Sequence, residues 1–293
     1  MKPQLTVGIV AKHDHPKAAE LTKKIIDWLS TRKIAYSLDS KIAEVISHTE
    51  NVYPRNEVST NSDIIVVLGG DGTLISACRT PSKRLPKIIG INLGTLGFLT
   101  EITTDEVIET LEATVEDKVK LEKHRLFQVK VTEENKSSKI FYALNDVVLT
   151  KEALARIFGV EITVNNEFAA VIRGDGVIIA TPIGSTAYSL AAGGSIVHPQ
   201  VDSVLITPIC PHTLSSRPLV LPGNSIIDMK LALDNKPKIS AVHLTMDGQE
   251  GMEITAGQVI NISTSNYYVN FVKSSKRNYF QVLGTKLKWA SKV

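Results

Sequence analysis

The spacing of apolar residues changes along this chain of 293 residues, and that change constrains its fold more than any other feature. Before about residue 120, short apolar runs alternate with stretches of helical spacing, which is typical of an α/β domain. The run 64–68 holds five apolar, mostly β-branched residues, as in a strand buried on both faces of a parallel sheet. The predicted strands are 5–11, 64–68 and 87–92, and the predicted helices are 16–29, 74–79 and 105–115.

From about residue 126 onward the pattern is a succession of strands without intervening helices. The sequence therefore predicts a Rossmann-like α/β domain at 1–122 and a β-rich, β-sandwich-like domain at 123–270, with the segment from about 271 to 293 packing back on the first domain. The predicted strands of the second domain are 127–131, 139–149, 160–164, 168–172, 177–180, 203–206, 226–233, 241–246 and 259–263.

Composition excludes several classes of function. The formal net charge of +3 is too small to indicate a nucleic-acid partner. The two cysteines, Cys78 and Cys210, are far apart and indicate neither a disulfide framework nor a zinc site. No apolar stretch approaches the roughly 18 residues of a membrane helix. We therefore expect a cytoplasmic protein without a membrane partner.

The loop Gly69, Gly70, Asp71, Gly72 and Thr73 follows the buried strand 64–68 and precedes a helix. Open α/β sheets bind ligands at this position, and glycines together with a helix N-terminus suit a phosphate group. An aspartate there would repel phosphate unless it accepted a proton or held a metal ion. A plain Asp-Gly turn is the alternative, but a turn requires neither the doubled glycine nor the strand-to-helix context.

The loop is neither a Walker phosphate loop nor a dinucleotide fingerprint, because no lysine follows it and its glycine spacing differs. It resembles the loop shared by NAD kinases, diacylglycerol and sphingosine kinases, and 6-phosphofructokinases. The loop alone does not choose among them.

A second group of residues favours one family. Residues 173–176 (RGDG) and 180–194 (ATPIGSTAYSLAAGG) resemble the signature of the NAD kinases. Here a strand breaks at Pro182 and Gly184 and presents the hydroxyls of Ser185, Thr186 and Ser189. Shorter resemblances lie at 90–99, 145–146, 211–218 and 282–289.

The chain thus resembles the ATP-dependent NAD kinases of bacterial type. The resemblance implies transfer of the terminal phosphoryl group of ATP to the 2'-hydroxyl of the adenosine ribose of NAD, with Mg²⁺ neutralising charge. It also implies a homotetramer or homodimer. A lipid kinase of the diacylglycerol type and a non-catalytic dinucleotide sensor remain alternatives.

The resemblance also assigns residues. Asp71 is the catalytic residue, Gly69, Gly70, Gly72 and Thr73 form the phosphate loop, and no side chain is assigned as a metal ligand. A surface role suits Arg156 equally well, a hairpin turn suits Gln249 equally well, and Ser76 stands where some members carry a basic residue. The predicted NAD-binding residues are Asp71, Gly72, Phe98, Asn145, Asp146, Arg156, Arg173, Asp175, Thr186, Ala187, Tyr188, Ser189, Leu190, Ala191 and Gln249.

Overall fold

The computed structural model describes residues 5–132, 138–152, 157–232 and 242–289. The chain divides into two compact units. Unit 1 comprises residues 1–124 and 267–293, and unit 2 comprises residues 125–266. No helix among the described residues is both long enough and apolar enough to cross a membrane.

The strands within these residues are β1 (Thr6–Ala11), β2 (Ala35–Asp39), β3 (Val52–Tyr53), β4 (Ile64–Leu68), β5 (Lys87–Ile91), β6 (Leu121–Thr132), β7 (Ser138–Ala143), β8 (Asp146–Lys151), β9 (Phe158–Val164), β10 (Glu167–Gly174), β11 (Gly176–Ala180), β12 (Ser203–Ile209), β13 (Leu219–Pro222), β14 (Ile227–Ala232), β15 (Val242–Met246), β16 (Glu250–Ile254) and β17 (Val259–Val272). The helices are α1 (Pro16–Thr31), α2 (Ser40–Ile46), α3 (Arg55–Asn61), α4 (Asp71–Cys78), α5 (Val107–Val115), α6 (Tyr188–Ala191) and α7 (Tyr279–Leu287).

Unit 1 is built on a parallel sheet in the order β17, β5, β4, β1, β2, β3, with β17 contributing its last residues. All five residues of β4 are buried, because the strand is central and covered on both faces. Helix α1 adds its buried face, including Ile25 and Leu29, to the same apolar core. The prediction of an α/β fold for this part of the chain is confirmed.

The parallel strands of unit 1 place the glycine loop at the edge formed by their carboxyl ends. Gly69 follows β4 directly, Gly70 is the extended residue that caps α4, and Asp71 is the first helical residue. The sequence prediction began this helix at residue 74, which was wrong. An acidic side chain is favourable beside the unpaired amides of the first turn, so the helix starts at Asp71.

Unit 2 contains two antiparallel sheets. One has the order β13, β12, β11, β8, β15, β16, and the other joins β10, β9, β14 and the first part of β17, with β6 and β7 paired beside them. One apolar cluster takes side chains from both sheets, for example Ile179 from the first and Ile162 from the second. The β-rich prediction for this half is confirmed.

Several elements were not predicted. Residues 35–61 form β2, α2, β3 and α3, whose two helices have only seven residues each and so show little helical periodicity. Helix α7 was also missed, although Asn278 and Gln281 form a capping box at its start.

Candidate active site

Asp71 carries a carboxylate that is held by the loop 98–100. Its Oδ2 accepts the backbone N–H of Phe98 at 2.9 Å. Its Oδ1 accepts the backbone N–H groups of Leu99 at 3.1 Å and Thr100 at 3.0 Å, and the Thr100 hydroxyl at 2.9 Å. Four donors from three successive residues therefore fix one side chain at the start of α4.

Glycine at position 97 permits this close approach. A Cβ atom there would lie 2.1 Å from Asp71 Oδ1 and 2.3 Å from Thr100 Oγ1. The turn is closed by a hydrogen bond from Gly97 N to Thr100 O at 3.2 Å. The resemblance at 90–99 thus includes a glycine whose role is steric.

The predicted phosphate loop has two kinds of glycine. Gly69 packs tightly, because a Cβ atom would lie 2.5 Å from the Thr73 hydroxyl oxygen, and its amide donates to Ile91 O at 2.9 Å. Gly70 has nothing within 4 Å of its Cβ position, and both Gly70 and Gly72 are exposed. Gly70 and Gly72 are thus exposed, whereas Gly69 is packed against Thr73.

Arg55 is a residue near this loop that the sequence prediction missed. Its guanidinium donates to Ser76 Oγ on α4 at 3.0 Å and pairs with the buried Asp39 carboxylate at 2.7 Å. A cation thus contacts Ser76 on the helix that Asp71 begins. No local pattern could reveal this, since Arg55 and Ser76 are 21 residues apart.

The segment after β17 anchors the stretch that follows Thr100. The buried Glu101 carboxylate accepts Ser274 N at 2.6 Å and pairs with Lys273 at 3.1 Å. Further along, Arg277 donates to Glu106 at 2.7 Å. Burial opposes ionisation of Glu106, but hydrogen bonds from Thr103 and Arg277 outweigh it and lower its pKa to about 2.

A cavity of about 450 Å³ lies in unit 2. It brings together four of the predicted NAD-binding residues with others that the prediction did not include. The predicted ones are Asn145, Asp146, Ala187 and Tyr188, and the additional ones are Val148, Thr150, Thr245, Asp247 and Gly248.

The backbone that carries Asn145 and Asp146 is held from two sides. The Asp247 carboxylate accepts the N–H groups of Leu144, Asn145 and Asp146 at 2.9, 2.7 and 3.1 Å. On the other side, the Thr181 hydroxyl donates to Leu144 O at 2.7 Å and the Thr181 amide to Asn145 O at 2.8 Å.

These contacts lie between β7, which ends at residue 143, and β8, which begins at residue 146. The prediction of a single strand at 139–149 was therefore wrong, because a side chain takes the amides that a sheet neighbour would otherwise pair. Asp247 precedes Gln249 in the turn after β15, and no local signal links it to residues more than 100 positions away.

Asp146 is strongly perturbed. Burial, together with the nearby charge of Asp247, raises its pKa to about 7. On the opposite side, the loop 181–187 carries no titratable side chain, and Tyr188 follows it. Carboxylates whose pKa is raised by burial and a neighbouring charge are common in ligand-binding sites.

The hydroxyls of Ser185, Thr186 and Ser189 all have partners within the protein, and their contact with a ligand stays a prediction. Ser185 Oγ donates to Pro182 O at 2.6 Å, and Thr186 Oγ1 donates to Ile183 O at 3.1 Å. Ser189 is fully buried, with its Oγ 2.8 Å from Thr207 Oγ1. In a segment with few strand or helix partners, side-chain oxygens satisfy the backbone.

The remaining predicted residues lie outside the residues that line the cavity. Asp175 pairs with Lys151 at 3.3 Å, Arg173 is exposed on β10, and Gln249 is exposed after the β15 hairpin. Leu190 and Ala191 belong to α6. Arg156 falls outside the described residues.

Within the described ranges, no group of three or more His, Cys, Asp or Glu side chains is placed to hold a metal ion. Asp71 is the acidic side chain in the glycine loop, and three of the four donors to its carboxylate bond Oδ1. The donor set does not form a cation site made of protein side chains alone.

Family models match both halves of the chain. The ATP-NAD kinase N-terminal domain matches residues 7–119, and the ATP-NAD kinase C-terminal domain matches residues 144–274. Among curated relatives, the NAD kinase of Trichlorobacter lovleyi is 40% identical over 288 residues, which is 98% of this chain and 99% of the relative. The NAD kinase of Geobacter sulfurreducens is 40% identical over 286 residues, with the same coverage.

Solved structures agree with these matches. Yeast NADH kinase in complex with NADH has a TM-score of 0.90 and 27% identity, covering 100% of this chain and 90% of that chain. An NAD kinase from Archaeoglobus fulgidus in complex with ATP has a TM-score of 0.75 and 27% identity, covering 96% of this chain and 98% of that chain.

Proposed function

This chain belongs to the ATP-NAD kinase family, and on that premise we infer that it transfers the terminal phosphoryl group of ATP to the 2'-hydroxyl of the adenosine ribose of NAD. The products are NADP and ADP. The family predicted from residues 173–194 is confirmed. The lipid kinase alternative is not favoured, since both domain matches and the solved relatives are NAD or NADH kinases.

The observation that best supports the chemistry is the fixed Asp71 carboxylate at the start of α4. The proposed step is one in-line transfer: the 2'-oxygen forms a bond to the γ-phosphorus, the bond between that phosphorus and the β,γ-bridging oxygen breaks, and the hydroxyl proton goes to Asp71. Oriented in advance, the carboxylate needs no reorganisation when the proton moves. The exposed backbone at Gly70 and Gly72 and the first amides of α4 are suited to the donor phosphates.

Unit 2 supplies the proposed recognition of NAD. Asn145 and Asp146 project from a backbone fixed by Asp247 and Thr181, and they share their cavity with Ala187 and Tyr188. A carboxylate and an amide accept and donate hydrogen bonds to vicinal ribose hydroxyls. The aromatic ring of Tyr188 is 45% exposed, which leaves a face for an apolar contact with a ring of the dinucleotide.

Magnesium enters this proposal as part of the substrate MgATP. Mg²⁺ keeps several waters and binds phosphate oxygens more readily than all-protein cages. That preference agrees with a chain whose described residues offer no cluster of three or more ligands. The ion would neutralise charge on the transferring group.

Two further parts of the proposal come from the family resemblance. The first is assembly into a homotetramer or homodimer, which light scattering of the purified protein tests. The cytoplasmic location is supported by Cys78 and Cys210, both of which are free thiols in the structure.

The deciding experiment measures NADP formed from NAD and MgATP, with inorganic polyphosphate as an alternative donor and NADH as an alternative acceptor. We expect turnover with NAD and MgATP by the parent protein. Calorimetric binding of NAD without turnover on any donor would instead identify a dinucleotide sensor. Faster phosphorylation of diacylglycerol than of NAD would reinstate the lipid kinase.

A further inference from the structure

We propose that Thr100 is a positioning residue for phosphoryl transfer, whose hydroxyl holds Oδ1 of Asp71 so that Oδ2 is the oxygen that accepts the proton. The inference rests on the role proposed above for Asp71. It adds a residue that touches neither substrate and acts through the carboxylate.

The contact between the two side chains is short and shielded. Thr100 Oγ1 donates to Asp71 Oδ1 at 2.9 Å, and Thr100 is fully buried. The other three donors to this carboxylate are backbone amides, which no substitution of a side chain removes. A hydrogen bond to a charged group is among the stronger ones.

The two carboxylate oxygens are not equivalent. Oδ1 accepts from Leu99 N, Thr100 N and Thr100 Oγ1, whereas Oδ2 accepts only from Phe98 N. A carboxylate offers about four lone-pair positions over its two oxygens. Oδ1 is therefore saturated, and Oδ2 retains the position that a substrate hydroxyl requires.

The terminal torsion of an aspartate is soft, because its χ2 angle occupies a broad well. Backbone amides that point toward both oxygens allow the carboxylate to rock between them. The amides already favour Oδ1 by two donors to one, and the hydroxyl of Thr100 strengthens that preference by a third donor. Loss of the hydroxyl would let the carboxylate rotate, so the oxygen that accepts the proton would no longer be held in one position.

The neighbours of Thr100 fix where its hydroxyl lies. Gly97 faces it, because a Cβ atom at Gly97 would lie 2.3 Å from Oγ1. The methyl group Cγ2 lies 3.3 Å from the Cβ position of Gly90, at the end of the parallel sheet. The next residue, Glu101, is held by Ser274 N at 2.6 Å. Thr100 therefore has little freedom to move away from Asp71.

The test compares four variants with the parent protein. Thr100→Val removes the hydroxyl and keeps the shape, Thr100→Ser keeps the hydroxyl and removes the methyl group, and Thr100→Ala removes both. The matched control is Thr114→Val in α5, which deletes another fully buried hydroxyl of unit 1, bonded to Thr110 O at 2.7 Å. Initial rates of NADP formation give kcat and the KM values for NAD and ATP.

We expect kcat of Thr100→Val to fall about tenfold, as for the loss of one hydrogen bond to a charged group. The KM values for NAD and ATP should stay within about twofold, since the hydroxyl touches neither substrate. Thr100→Ser and Thr114→Val should keep kcat within about threefold of the parent. If Thr100→Val does not fold, the Ser and Ala variants answer the same question, because they differ only in the hydroxyl.

Equal kcat for Thr100→Val and Thr114→Val, or for Thr100→Ser and Thr100→Ala, would overturn the inference. A loss confined to KM would also overturn it. A parent protein that makes no NADP would refute the proposed function and the inference together, whereas an active parent with an unaffected Thr100→Val variant refutes the inference alone.

Discussion

Replacement of Asp146 by asparagine should make the protein more stable at alkaline pH than at acidic pH, relative to the parent. Burial and the charge of Asp247 raise the pKa of Asp146 to about 7, against an ordinary value of 3.8. The native state therefore binds this proton more tightly than the unfolded state does. The stability from this group is fully present below pH 3.8 and is lost as the pH rises through about 7.

The magnitude follows from the two pKa values. The full difference between the two pKa values corresponds to a loss of about 4 kcal/mol of unfolding free energy once the pH exceeds 7. At pH 5 only about 1.5 kcal/mol of it has been lost, because Asp146 is still protonated in the native state. The benefit of Asp146→Asn should thus be about 2 to 3 kcal/mol larger at pH 8 than at pH 5.

Urea unfolding at both pH values measures this difference and cancels any pH-independent effect of the amide. Asp228→Asn on β14, whose carboxylate accepts Asn261 Nδ2 at 2.7 Å, is the control for removing one negative charge from unit 2. A benefit that is equal at pH 5 and pH 8, or no larger than that of Asp228→Asn, would refute the reasoning.

The same substitution should weaken the binding of NAD. An amide accepts a ribose hydroxyl less strongly than a carboxylate does, so we expect the dissociation constant at pH 8 to rise about tenfold. Asp146→Asn should thus gain stability and lose affinity for NAD, as expected where a ligand-binding site retains a destabilising charge.

Three further substitutions test unit 1. Asp71→Asn should lower kcat by about 10²- to 10⁴-fold while calorimetric NAD affinity is retained, and a variant within about threefold of the parent would exclude a base role. Gly97→Ala should abolish most NADP formation, because its Cβ atom would lie 2.1 Å from Asp71 Oδ1, whereas Gly94→Ala, with nothing within 4 Å, should remain active. Glu106→Gln should lower the unfolding free energy by on the order of 2 kcal/mol at pH 7 and by much less at pH 2. The reason is that the pKa of Glu106 is lowered in the native state, and the stability this gives is lost as the pH falls through about 2. Urea titrations at the two pH values check this, and equal effects at both would contradict it.

Local signals were sufficient for the class of fold and for the position of the phosphate loop. The five buried residues of β4 are apolar because both faces of a central parallel strand are covered, and this is visible in the sequence. The glycine loop that follows needs no distant partner to be identified. Helix ends and short elements were less accessible, as in α4 and in the two seven-residue helices α2 and α3.

Side-chain partners at long range were not accessible from the sequence. The hydroxyls of Ser185 and Ser189 are visible in the sequence, but their contacts with Val197 and Thr207 are not. The strand predicted at 139–149 breaks because Asp247 approaches it from a hairpin about 100 residues further on.

Local patterns were enough to assign the α/β half, the β-rich half, the glycine loop and the family that the chain resembles, because burial pattern and loop motifs are set by residues close along the chain. Only the tertiary structure decided that Thr100 and the backbone of 98–100 hold Asp71, that Asp247 fixes Asn145 and Asp146, and that Arg55 contacts the helix begun by Asp71. These contacts join residues 21 to 102 positions apart, and strand order and packing, which no local pattern encodes, bring them together.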